Sequence, residues 1–489
     1  MKGRAHAMKQ RQKTFLSEMH RHELETIVGP GNVVTDEAEI EAQSLDVWWV
    51  TRFWKFSDLE FPRPFAIVFA ESTAQVVKVV EFCNEHHMPL IPRGGGAGDA
   101  GGSVALTGGI VLDLKKMDKV LEINEKSLTV RVQPGILQKH LEEHLNNRGY
   151  TMNHFPASFV TSSLGGFIST NGTGVLSSKY GKLSDMVHQL EVVLPTGRIF
   201  RSLPVRLHST GPDYSRLFIG AEGTLGIITE ALCKIHHLPE RRLFHAFVIA
   251  DLAAGIEAGR RVMTHGLQPC LLRLYDESDS QHILKGQFAL DVAGCVLFLG
   301  FDGPEKIVRV QDEIAFEIMT SLGGRDLGEK PALAWWDGRY KSYYPPNDYI
   351  AYPWMTAVTD TVAPYERIEG AYHAMKRAVE DGFREWNAAF HAHFSHWYDW
   401  GASFYPTFLL KEYPKDTREA LALFNRVLDA AVRASIGNGG VVNEHHGIGL
   451  KNARFMREIY GDGYELARAI KKALDPNAIM NPGKLGLGE

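Results

Sequence analysis

The segment NEHHGIG, at residues 443–449, places one carboxylate and two imidazoles directly before a glycine turn. An imidazole with its ordinary pKa near 6.5 gains and loses a proton readily at neutral pH. A well-placed base of this kind typically accelerates a reaction by ~10²–10⁴-fold. Side chains of adjacent residues usually point apart, so one or both of His445 and His446 can face a single site. The segment predicts proton transfer, and a histidine held only by backbone contacts is the alternative.

Tyr405 lies in a second segment with reactive side chains, HWYDWGASFYPTF at residues 396–408. A phenol in a buried strand either packs in the core with one hydrogen bond or polarises a substrate oxygen on which charge develops. The histidines that could ligate a metal here are His391, His393, His396 and His445. Because the first three fall only partly on one face of a strand, we predict that no metal is bound.

Three glycine-rich stretches could present bare backbone to an anionic ligand. They are IPRGGGAGDAGGS (91–103), SSLGGFISTNGTGVLSSKYG (162–181) and FIGAEGTLGIITEA (218–231). Successive unhindered N–H groups form concavities that hold anions, and Arg93 adds a forked cation suited to a phosphate. Neither GxxxxGK[ST] nor a GxGxxG between a first strand and a helix is present. One such stretch could be a flexible loop, whereas three at strand ends favour one long, phosphate-bearing cofactor.

The elements that must position these groups follow from the hydrophobic periodicity. FAIVFA (65–70) is typical of a buried strand, and residues 72–87 begin with the capping residue Ser72 and keep a helical apolar stripe. A short strand, MPLIP, then leads into the first glycine stretch. This order is that of an α/β layer containing parallel strands. Strand GIVLDL (109–114) and a helix over 136–149 are predicted to follow.

The pattern of residue types along the sequence changes after Pro239. Strand-like runs such as CVLFLGFDG (295–303) alternate with long helices, and glycine-rich turns return only near the C-terminus. We therefore predict an N-terminal helical segment at 1–60, a glycine-loop domain at 61–240, a second domain at 241–440 and a returning segment at 441–489. The second domain carries an aromatic cluster, which either lines a pocket or forms a core or dimer surface. Its members are Trp335, Trp336, Tyr340, Tyr343, Tyr344, Tyr349, Tyr352 and Trp354.

Composition restricts the possible classes of protein. The chain has 489 residues, 44% hydrophobic and 23% charged, which is typical of a folded protein of two or three domains. A net charge of −5 argues against nucleic-acid binding. The four cysteines lie far apart, which favours neither a disulfide framework nor a cysteine metal site. The N-terminus lacks the apolar region of a secretory signal, and no run is long enough for a membrane helix, so we expect a cytoplasmic protein.

Four motifs in this order give the chain a resemblance to a known family. PRGGGAGDAGG, PASFVTSSLGGFISTNGTG, GAEGTLGIITE and HHGIG with LDPNAIMNPGK resemble the flavoproteins of the vanillyl-alcohol oxidase/p-cresol methylhydroxylase (PCMH) type. The resemblance covers roughly residues 60–240 and 435–485. It implies an α+β fold, with a two-part PCMH-type FAD-binding domain and an α/β cap domain over the substrate, and FAD as the cofactor. Because Ala97 and Asp99 stand where a tethering histidine would be sought, we expect the FAD to be non-covalent.

The resemblance also implies roles for individual positions. The pyrophosphate would lie against Arg93, Gly94, Gly95, Gly96, Ala97, Gly98, Gly101, Gly102 and Ser103. The flavin ring would lie against Pro156, Ser158, Thr161, Ser162, Gly165 and Gly166, whose bare backbone suits a flat ring. The ribityl and phosphate groups would reach Thr170, Asn171, Gly172 and Thr173, and the adenosine end would meet Glu222, Gly223 and Ile228. The alternative for hydroxyl residues such as Ser158 and Thr173 is a role in turns.

Two branches of that family resemble the chain most, the alkyl-dihydroxyacetone-phosphate synthases and the D-lactate/glycolate-type dehydrogenases. The synthases carry three histidines and the dehydrogenases Glu-His-Gly where this chain reads Glu-His-His-Gly, and His446 matches the active-site histidine of both. Tyr405 matches the tyrosine of the synthases. Their leaving-group arginine, in a Tyr-x-Arg-Asp context, has no match, because Arg339 lies upstream at a different spacing. The dehydrogenases' metal pattern, His-x-x-Asp-Gly-x-x-x-His, is not reproduced after His396.

The function predicted from the sequence is therefore an FAD-dependent oxidoreductase. It would oxidise a hydroxylated small molecule, a 2-hydroxy acid or an aromatic alcohol, by hydride transfer to flavin N5. His446 would act as the base, with Tyr405 and His445 at the substrate oxygen. The alternatives are a non-redox flavoenzyme that forms an ether-lipid precursor and a flavin-binding protein without activity. We expect a homo-oligomer, and the sequence does not identify the electron acceptor.

Overall fold

The N-terminal region is helical. The computed structural model describes residues 16–57, 59–281, 285, 293–340 and 354–487. The first elements are α1 (Glu18–Val28), β1 (Val33–Val34), α2 (Glu37–Gln43) and α3 (Trp49–Lys55). Ser17 caps α1 by accepting a hydrogen bond from the backbone N–H of His20 at 3.1 Å. These helices lie within the segment 1–60 for which the sequence predicts helical structure.

A parallel strand–helix–strand unit precedes the first glycine stretch. Its elements are β2 (Ala66–Phe69), α4 (Thr73–Glu85), β3 (Leu90–Arg93) and β4 (Ile110–Asp113). The sheet has the order β1-β2-β4-β3, in which β4 pairs in parallel with β2 and with β3. Ser72 caps α4, as predicted, by accepting from the backbone of Gln75. Because β3 ends at Arg93, the first glycine stretch begins at the carboxyl edge of parallel strands.

A second, antiparallel sheet completes the glycine-loop region. The elements are β5 (Val120–Asn124), β6 (Thr129–Val132), α5 (Gln138–Asn146), β7 (Tyr150–Thr151), α6 (Leu164–Thr170), α7 (Ser177–Tyr180), α8 (Leu183–Met186), β8 (Val187–Val193), β9 (Ile199–Arg201), β10 (Ile227–Lys234) and β11 (His236–His237). The order is β5-β6-β10-β8-β9. The second glycine stretch begins with the short helix α6, which Ser163 caps by accepting a hydrogen bond from the backbone of Gly166. The third stretch leads directly into β10.

The region after residue 240 is built on a nine-stranded antiparallel sheet, the cap sheet. Its strands run β15-β12-β14-β13-β18-β19-β17-β20, with β16 paired to β19. The elements are β12 (Arg241–Ile249), α9 (Leu252–Thr264), β13 (Leu271–Tyr275), α10 (Glu277–Asp279), β14 (Cys295–Gly303), α11 (Glu305–Ser321), β15 (Arg325–Asp326), α12 (Glu329–Gly338), β16 (Met355–Val358), β17 (Thr361–Pro364), α13 (Tyr365–Glu380), β18 (Ala389–Trp397), β19 (Gly401–Leu410), α14 (Thr417–Gly437) and β20 (Val441–Val442). The strand predicted at 295–303 is confirmed.

The two faces of the cap sheet have different partners. One face packs on α9, α11, α13 and α14, and alternate strand residues such as Phe247 belong to this large core. The other face, with Val248, packs on Trp335 of α12 and on Leu176 of the glycine-loop region. This alternation follows from the two-residue period of a strand. The cap sheet therefore presents one face toward the glycine stretches.

The C-terminal segment leaves the cap sheet and returns to the first region. Its helices are α15 (Met456–Tyr460) and α16 (Asp462–Leu474). The backbone of Leu450 donates to Ala100 O at 2.8 Å, and that of Leu90 donates to Ile479 O at 2.8 Å. The α+β fold class predicted from the sequence is confirmed. In the described ranges no helix has the length and apolar character to cross a bilayer, and the four cysteines are free and buried.

Candidate functional site

The three glycine stretches and the inner face of the cap sheet enclose a cavity of about 410 Å³. Such a volume is typical of small-molecule sites. The predicted site residues line this cavity, apart from Gly101, Thr161 and Asn171. His445, His446 and Tyr405 line the same cavity as the glycine stretches. One cavity thus holds nearly all the residues selected from the sequence.

The glycines of the first stretch divide into two kinds. A Cβ on Gly95 would lie 1.9 Å from Thr161 O, and one on Gly94 would lie 2.1 Å from Ser163 Oγ. These two glycines allow the first stretch to pack against the second. Among the described residues, a Cβ on Gly98 would meet no atom within 4 Å, and Gly98 lines the cavity. Bare backbone at Gly98 is therefore open to a ligand.

Arg93 supports the first stretch from behind. Its Nη1 donates to Ser103 Oγ and its Nη2 to Leu45 O, each at 3.0 Å. A Cβ on Gly96 would lie 2.1 Å from the same Nη2. Only Nε of this buried guanidinium has no hydrogen-bond partner among the described residues. Contact of Arg93 with a phosphate remains a prediction.

The three predicted residues outside the cavity hold the stretches in place. The backbone of Gly101 donates to Asp46 Oδ2 at 2.7 Å, and burial raises the pKa of this carboxyl to about 6. Thr161 provides the carbonyl against Gly95. Asn171 ends α6 with a left-handed φ of 51°, and its Oδ1 accepts from the backbone of Ser184. Asparagine suits this position because it tolerates the left-handed backbone conformation in which α6 ends.

Gly165 and Gly166 play different parts, although the sequence suggested the same part for both. A Cβ on Gly165 would lie 2.5 Å from Cβ of Pro134, so this glycine is needed for packing within the protein. A Cβ on Gly166 would meet only Ser163 Oγ, at 3.3 Å. Both residues line the cavity. Gly166 is thus the one of the pair whose bare backbone is available to a flat ring.

Glu222 joins the third stretch to the C-terminal segment. Its Oε1 accepts from the backbone of Ile448 at 2.5 Å and its Oε2 from that of Gly449 at 2.8 Å. Burial raises the pKa of this carboxyl to about 7, against the lowering effect of these hydrogen bonds. Glu222 has a positive φ of 51°. A role at the adenosine end of FAD remains a prediction.

Asp360, which the sequence analysis missed, organises the histidine pair. It lies in the turn between β16 and β17 and is fully buried. Its Oδ1 is 2.6 Å from His446 Nδ1, and its Oδ2 accepts from the backbone of His445 at 2.6 Å and from that of Glu444. Burial opposes ionisation, but the two histidines hold the pKa of Asp360 well below its usual range. With Nδ1 engaged, the Nε2 of His446 is the ring nitrogen left for proton transfer.

Glu444 is the second organising carboxylate. Its Oε2 lies 2.8 Å from His445 Nδ1 and 3.0 Å from His396 Nδ1. Its Oε1 accepts from Lys182 Nζ and from the hydroxyl of Tyr398, each at 2.6 Å. Burial raises the pKa of Glu444, but His396, Lys182 and His445 together lower it well below its usual range. Glu444 is therefore an anion that accepts four hydrogen bonds.

The carboxylates of Asp360 and Glu444 lie beside histidines whose pKa values are shifted in opposite directions. Burial lowers the pKa of His445, but Asp360 and Glu444 reverse this effect and raise the pKa to about 9. Burial lowers the pKa of His396 to about 4, although Glu444 acts in the opposite direction. At neutral pH His445 is an imidazolium and His396 is neutral. A cation is thus fixed beside His446.

Tyr405 lies between two imidazoles on the inner face of the cap sheet. Its ring stacks on His393 with centroids 5.0 Å apart and meets His446 edge-on at 5.1 Å. The rings of His445 and His446 are only 3.9 Å apart. Adjacent histidines point apart in a strand, but these two follow Asn443, whose φ is 80°, in a turn beyond β20. Both therefore face the cavity.

Two groups of side chains have donor atoms close enough for a metal ion. They are Asp360 with His445 and His446, and His396 with Glu444 and His445, with donor atoms within 4.8 Å of one another. The same atoms hydrogen-bond one another. His391 is turned elsewhere, because its Nδ1 lies 2.7 Å from Ser278 Oγ.

The aromatic cluster contributes to the cap side of the cavity. Trp335 lines the cavity and donates from Nε1 to the hydroxyl of Tyr275 at 2.7 Å. Trp336 and Tyr340 stack on the guanidinium of Arg339, at 3.8 and 4.4 Å. Trp335 also packs in the cap core, so the pocket and core interpretations both hold for it. The remaining tyrosines, Tyr343, Tyr344, Tyr349 and Tyr352, lie outside the described residues.

Sequence reasoning missed Asp360, Lys182, Tyr398, Arg273 and Asp279. Asp360 had a usable signal, since an isolated aspartate between two short apolar runs (MTAV and TVAP) is rarely buried without a partner. Lys182 directly follows KYG, which ends the second stretch, and no hydrophobic periodicity in the sequence marks it as a functional residue. Its contact with Glu444 joins residues 262 positions apart, which spacing alone does not reveal.

Family models cover most of the chain. Residues 64–202 match the FAD binding domain, and residues 238–485 match the C-terminal domain of FAD linked oxidases. The first match contains the first two glycine stretches, up to residue 181 of the sequence, and the second contains the histidine pair. The first two glycine stretches and the histidine pair, all of which contribute to the cavity, therefore lie in matched regions.

Individual proteins resemble the chain over most of its length. An alkyldihydroxyacetonephosphate synthase of Trypanosoma brucei brucei is 28% identical over 470 residues, which cover 90% of this chain and 75% of the relative. An uncharacterized FAD-linked oxidoreductase of Escherichia coli (strain K12) is 30% identical over 483 residues, covering 95% and 97%. The glycolate oxidase subunit GlcD of Bacillus subtilis (strain 168) is 28% identical over 437 residues, covering 86% and 89%.

Solved structures share the fold. An alkyldihydroxyacetonephosphate synthase superposes with a TM-score of 0.81 at 24% identity, covering 96% of this chain and 86% of the other. A p-cresol methylhydroxylase superposes with a TM-score of 0.75 at 20% identity, covering 96% of both chains. The predicted PCMH-type architecture, with a two-part domain and a cap, is thereby confirmed.

Proposed function

The chain belongs to the family of FAD-linked oxidases, with FAD as its cofactor, and on this premise we propose that it oxidises a hydroxylated small molecule. The substrate class is a 2-hydroxy acid or an aromatic alcohol. The observation that carries the proposal is the 2.6 Å contact between His446 Nδ1 and Asp360 Oδ1 inside the cavity lined by the glycine stretches. A histidine held by a carboxylate in this way is suited to accept a proton at Nε2.

The residues present fit the cofactor. Bare backbone at Gly98 and Gly166 opens to the cavity, as close contact with a pyrophosphate and a flat ring requires. We propose that the first stretch holds the pyrophosphate, that Pro156 and Gly166 lie against the flavin, and that Glu222 and Gly223 lie toward the adenosine end. When bound, FAD supplies the two-electron acceptor for the hydride.

The chain's own residues handle the proton and the charge. His446 Nε2 takes the proton of the substrate hydroxyl while the hydride leaves the carbon that bears this hydroxyl, so the alcohol becomes a carbonyl. Negative charge develops on the substrate oxygen as the O–H bond weakens, and the His445 imidazolium stabilises it. Tyr405, against His446, is the second group at that oxygen. Asp360 keeps Nδ1 of His446 engaged, so that the proton is received at Nε2.

Anaerobic mixing tests the proposal. Purified protein reconstituted with FAD should be yellow, and addition of a substrate from a panel of D-hydroxy acids and phenolic alcohols should bleach the absorbance near 450 nm. The His446→Ala variant should retain FAD and bleach ~10²–10⁴-fold more slowly, because the base is lost. Protein that stays colourless after reconstitution, or a variant that bleaches at the wild-type rate, contradicts the proposal.

A second candidate is a synthase-like reaction without net oxidation. Tyr405 with the histidine pair favours it, together with the similarity to the Trypanosoma enzyme. In that case the product would be an ether-lipid precursor, and the flavin would leave the reaction in its oxidised state. The same experiment separates the two, because a synthase consumes an acylated substrate without lasting loss of the 450 nm absorbance.

A further inference from the structure

A polar wall on the cap side of the cavity has no part in the chemistry above. It is formed by Arg273 and Tyr275 of β13 and by Asp279 just beyond that strand. Tyr275 is the cross-strand neighbour of His393, which is the cross-strand neighbour of Tyr405. One strand, β18, therefore separates the wall from Tyr405, whose ring also contacts His446.

Asp279 presents an unpartnered oxygen in this wall. Its side chain is only 3% exposed, and Oδ2 lies 3.2 Å from His393 Nδ1. Among the residues that the structure describes, none forms a hydrogen bond with Oδ1, although this atom is buried and the residue lines the cavity. Burial and the neighbouring Asp276 raise the pKa of this carboxyl well above its usual range. Buried polar atoms without a partner are rare in folded proteins, so a group in the cavity is the expected partner.

Arg273 presents a fixed cation beside it. Its Nε donates to the hydroxyl of Tyr275 at 2.8 Å, and its guanidinium stacks 5.2 Å from the rings of both Tyr275 and Trp335. Within the described ranges, no carboxylate forms an ion pair with it. The two terminal nitrogens of the guanidinium remain for a ligand, in a geometry that matches a carboxylate or a phosphate.

A second guanidinium strengthens the positive character of the wall. Arg339 also lines the cavity, held by stacking on Trp336 and by donation to Trp336 O. Burial lowers its pKa, although Tyr340 and Asp337 act in the opposite direction. Two half-buried arginines that line one cavity favour an anionic occupant.

We propose that Arg273 and Asp279 form a subsite for the distal part of the substrate, which carries an anionic group and a further hydroxyl. The substrate class is a polyhydroxylated acid or a polyol phosphate, and this inference rests on the proposed function for the reacting end. Arg273 binds the anion, and Asp279 Oδ1 pairs with the hydroxyl.

The size of the site supports this class. The ring centroids of His446 and Tyr405 are 5.1 Å apart, and those of Tyr405 and His393 are a further 5.0 Å apart. The three carbons of D-lactate, joined by bonds of about 1.5 Å, span less than either of these centroid distances, whereas a phosphate ester or a longer carbon chain extends further. A longer substrate is required to occupy both ends of the cavity at once.

Ligand binding to the oxidised holoenzyme tests the subsite. The ligands are D-gluconate, glycerol 3-phosphate and D-lactate, titrated by calorimetry and by the perturbation of the flavin spectrum. Wild type should bind D-gluconate or glycerol 3-phosphate at least ten-fold more tightly than D-lactate. The tighter of the two identifies the anion as a carboxylate or a phosphate.

Variants assign the preference to the two side chains. Asp279→Ala should lose at least ten-fold in affinity for the preferred ligand with little change for D-lactate, and Asp279→Asn, which keeps a polar atom, should recover part of it. Arg273→Met should weaken binding of both larger anions, and Arg273→Lys less so. The controls are Asp381→Ala and Arg384→Met, an exposed pair on the cap surface with side chains 60% and 80% exposed.

The outcomes separate this proposal from the proposed function. Equal affinity of wild type for all three ligands, or an unchanged preference in Asp279→Ala, overturns the subsite. If a hydroxy acid bleaches the flavin while the subsite variants behave as wild type, the oxidation stands and the subsite falls. If the larger anions bind with the expected preference and no hydroxylated compound bleaches the flavin, the subsite stands and the oxidation falls.

Discussion

His446 Nδ1 lies 2.6 Å from Oδ1 of Asp360, a residue 86 positions earlier in the chain. The same carboxylate accepts from the backbone of His445 through its other oxygen. One buried aspartate therefore fixes both the ring and the main chain of the histidine pair. This relationship gives the pair a defined orientation in a segment that is not part of a regular element.

Replacement of Asp360 by asparagine should slow flavin reduction by roughly 10²–10⁴-fold, because the His446 ring loses the anion that orients it. The measurement is stopped-flow bleaching under anaerobic conditions, with FAD content determined by absorbance. Asp381→Asn, on the exposed cap surface, is the control. A variant that reduces the flavin at the wild-type rate would remove Asp360 from the mechanism.

Two alanine substitutions in the first glycine stretch should have different effects. Gly95→Ala places a methyl group 1.9 Å from Thr161 O, so we expect a loss of stability of about 1–3 kcal/mol and a lower melting temperature. Gly98→Ala places its methyl group in open cavity, so the fold should persist while FAD binds more weakly. The melting temperature of the apoprotein and the Kd for FAD separate the two effects. Equal losses of FAD affinity without loss of stability would contradict the assignment.

Stability should depend on pH through His445. Its pKa in the folded protein, about 9, is above the value near 6.5 expected in the unfolded chain. Its contribution, roughly 3 kcal/mol from the difference between these pKa values, is complete below pH 6.5 and is lost as the pH rises through 9. The melting temperature of His445→Gln should therefore fall furthest below that of wild type near pH 6, and the gap should shrink near pH 10. A gap that does not vary with pH would refute this interpretation.

Lys182 should set the acid limit of activity. Its ammonium lies 2.6 Å from Glu444 Oε1 and lowers the pKa of that carboxyl. In Lys182→Met the pKa of Glu444 should rise, so the acid limb of the rate of flavin reduction should shift to higher pH. Lys415→Met, at an exposed position, should leave the profile unchanged. An unshifted acid limb would show that Glu444 ionisation does not depend on Lys182.

Removal of divalent cations should leave the rate of flavin reduction unchanged. The donor atoms of the two possible metal sets already pair with one another, and Lys182 provides a cation at Glu444. The measurement is the bleaching rate of holoenzyme before and after dialysis against EDTA. Loss of activity that zinc or manganese restores would contradict this prediction.

The local elements could be predicted from the sequence, because they depend on short-range physics. Ser72 with its apolar stripe predicted α4, and the strand-like run at 295–303 predicted β14. The glycine stretches could be selected because three stretches of bare backbone at strand ends favour contact with a bound ligand. The role of α6 in the second stretch was missed, since a helix with two adjacent glycines is opposed by propensity and is formed here by the Ser163 cap and by packing on Pro134.

The sequence by itself determined the class of fold, the glycine stretches that line the cavity and the identity of the histidine pair. Only the tertiary structure decided how that pair works, because Asp360 and Lys182 reach it from segments 86 and 262 positions away along the chain. The same holds for the charge on His445, which burial alone would remove and which two carboxylates restore. Protonation depends on what surrounds a side chain in space, and no spacing along the chain encodes those surroundings.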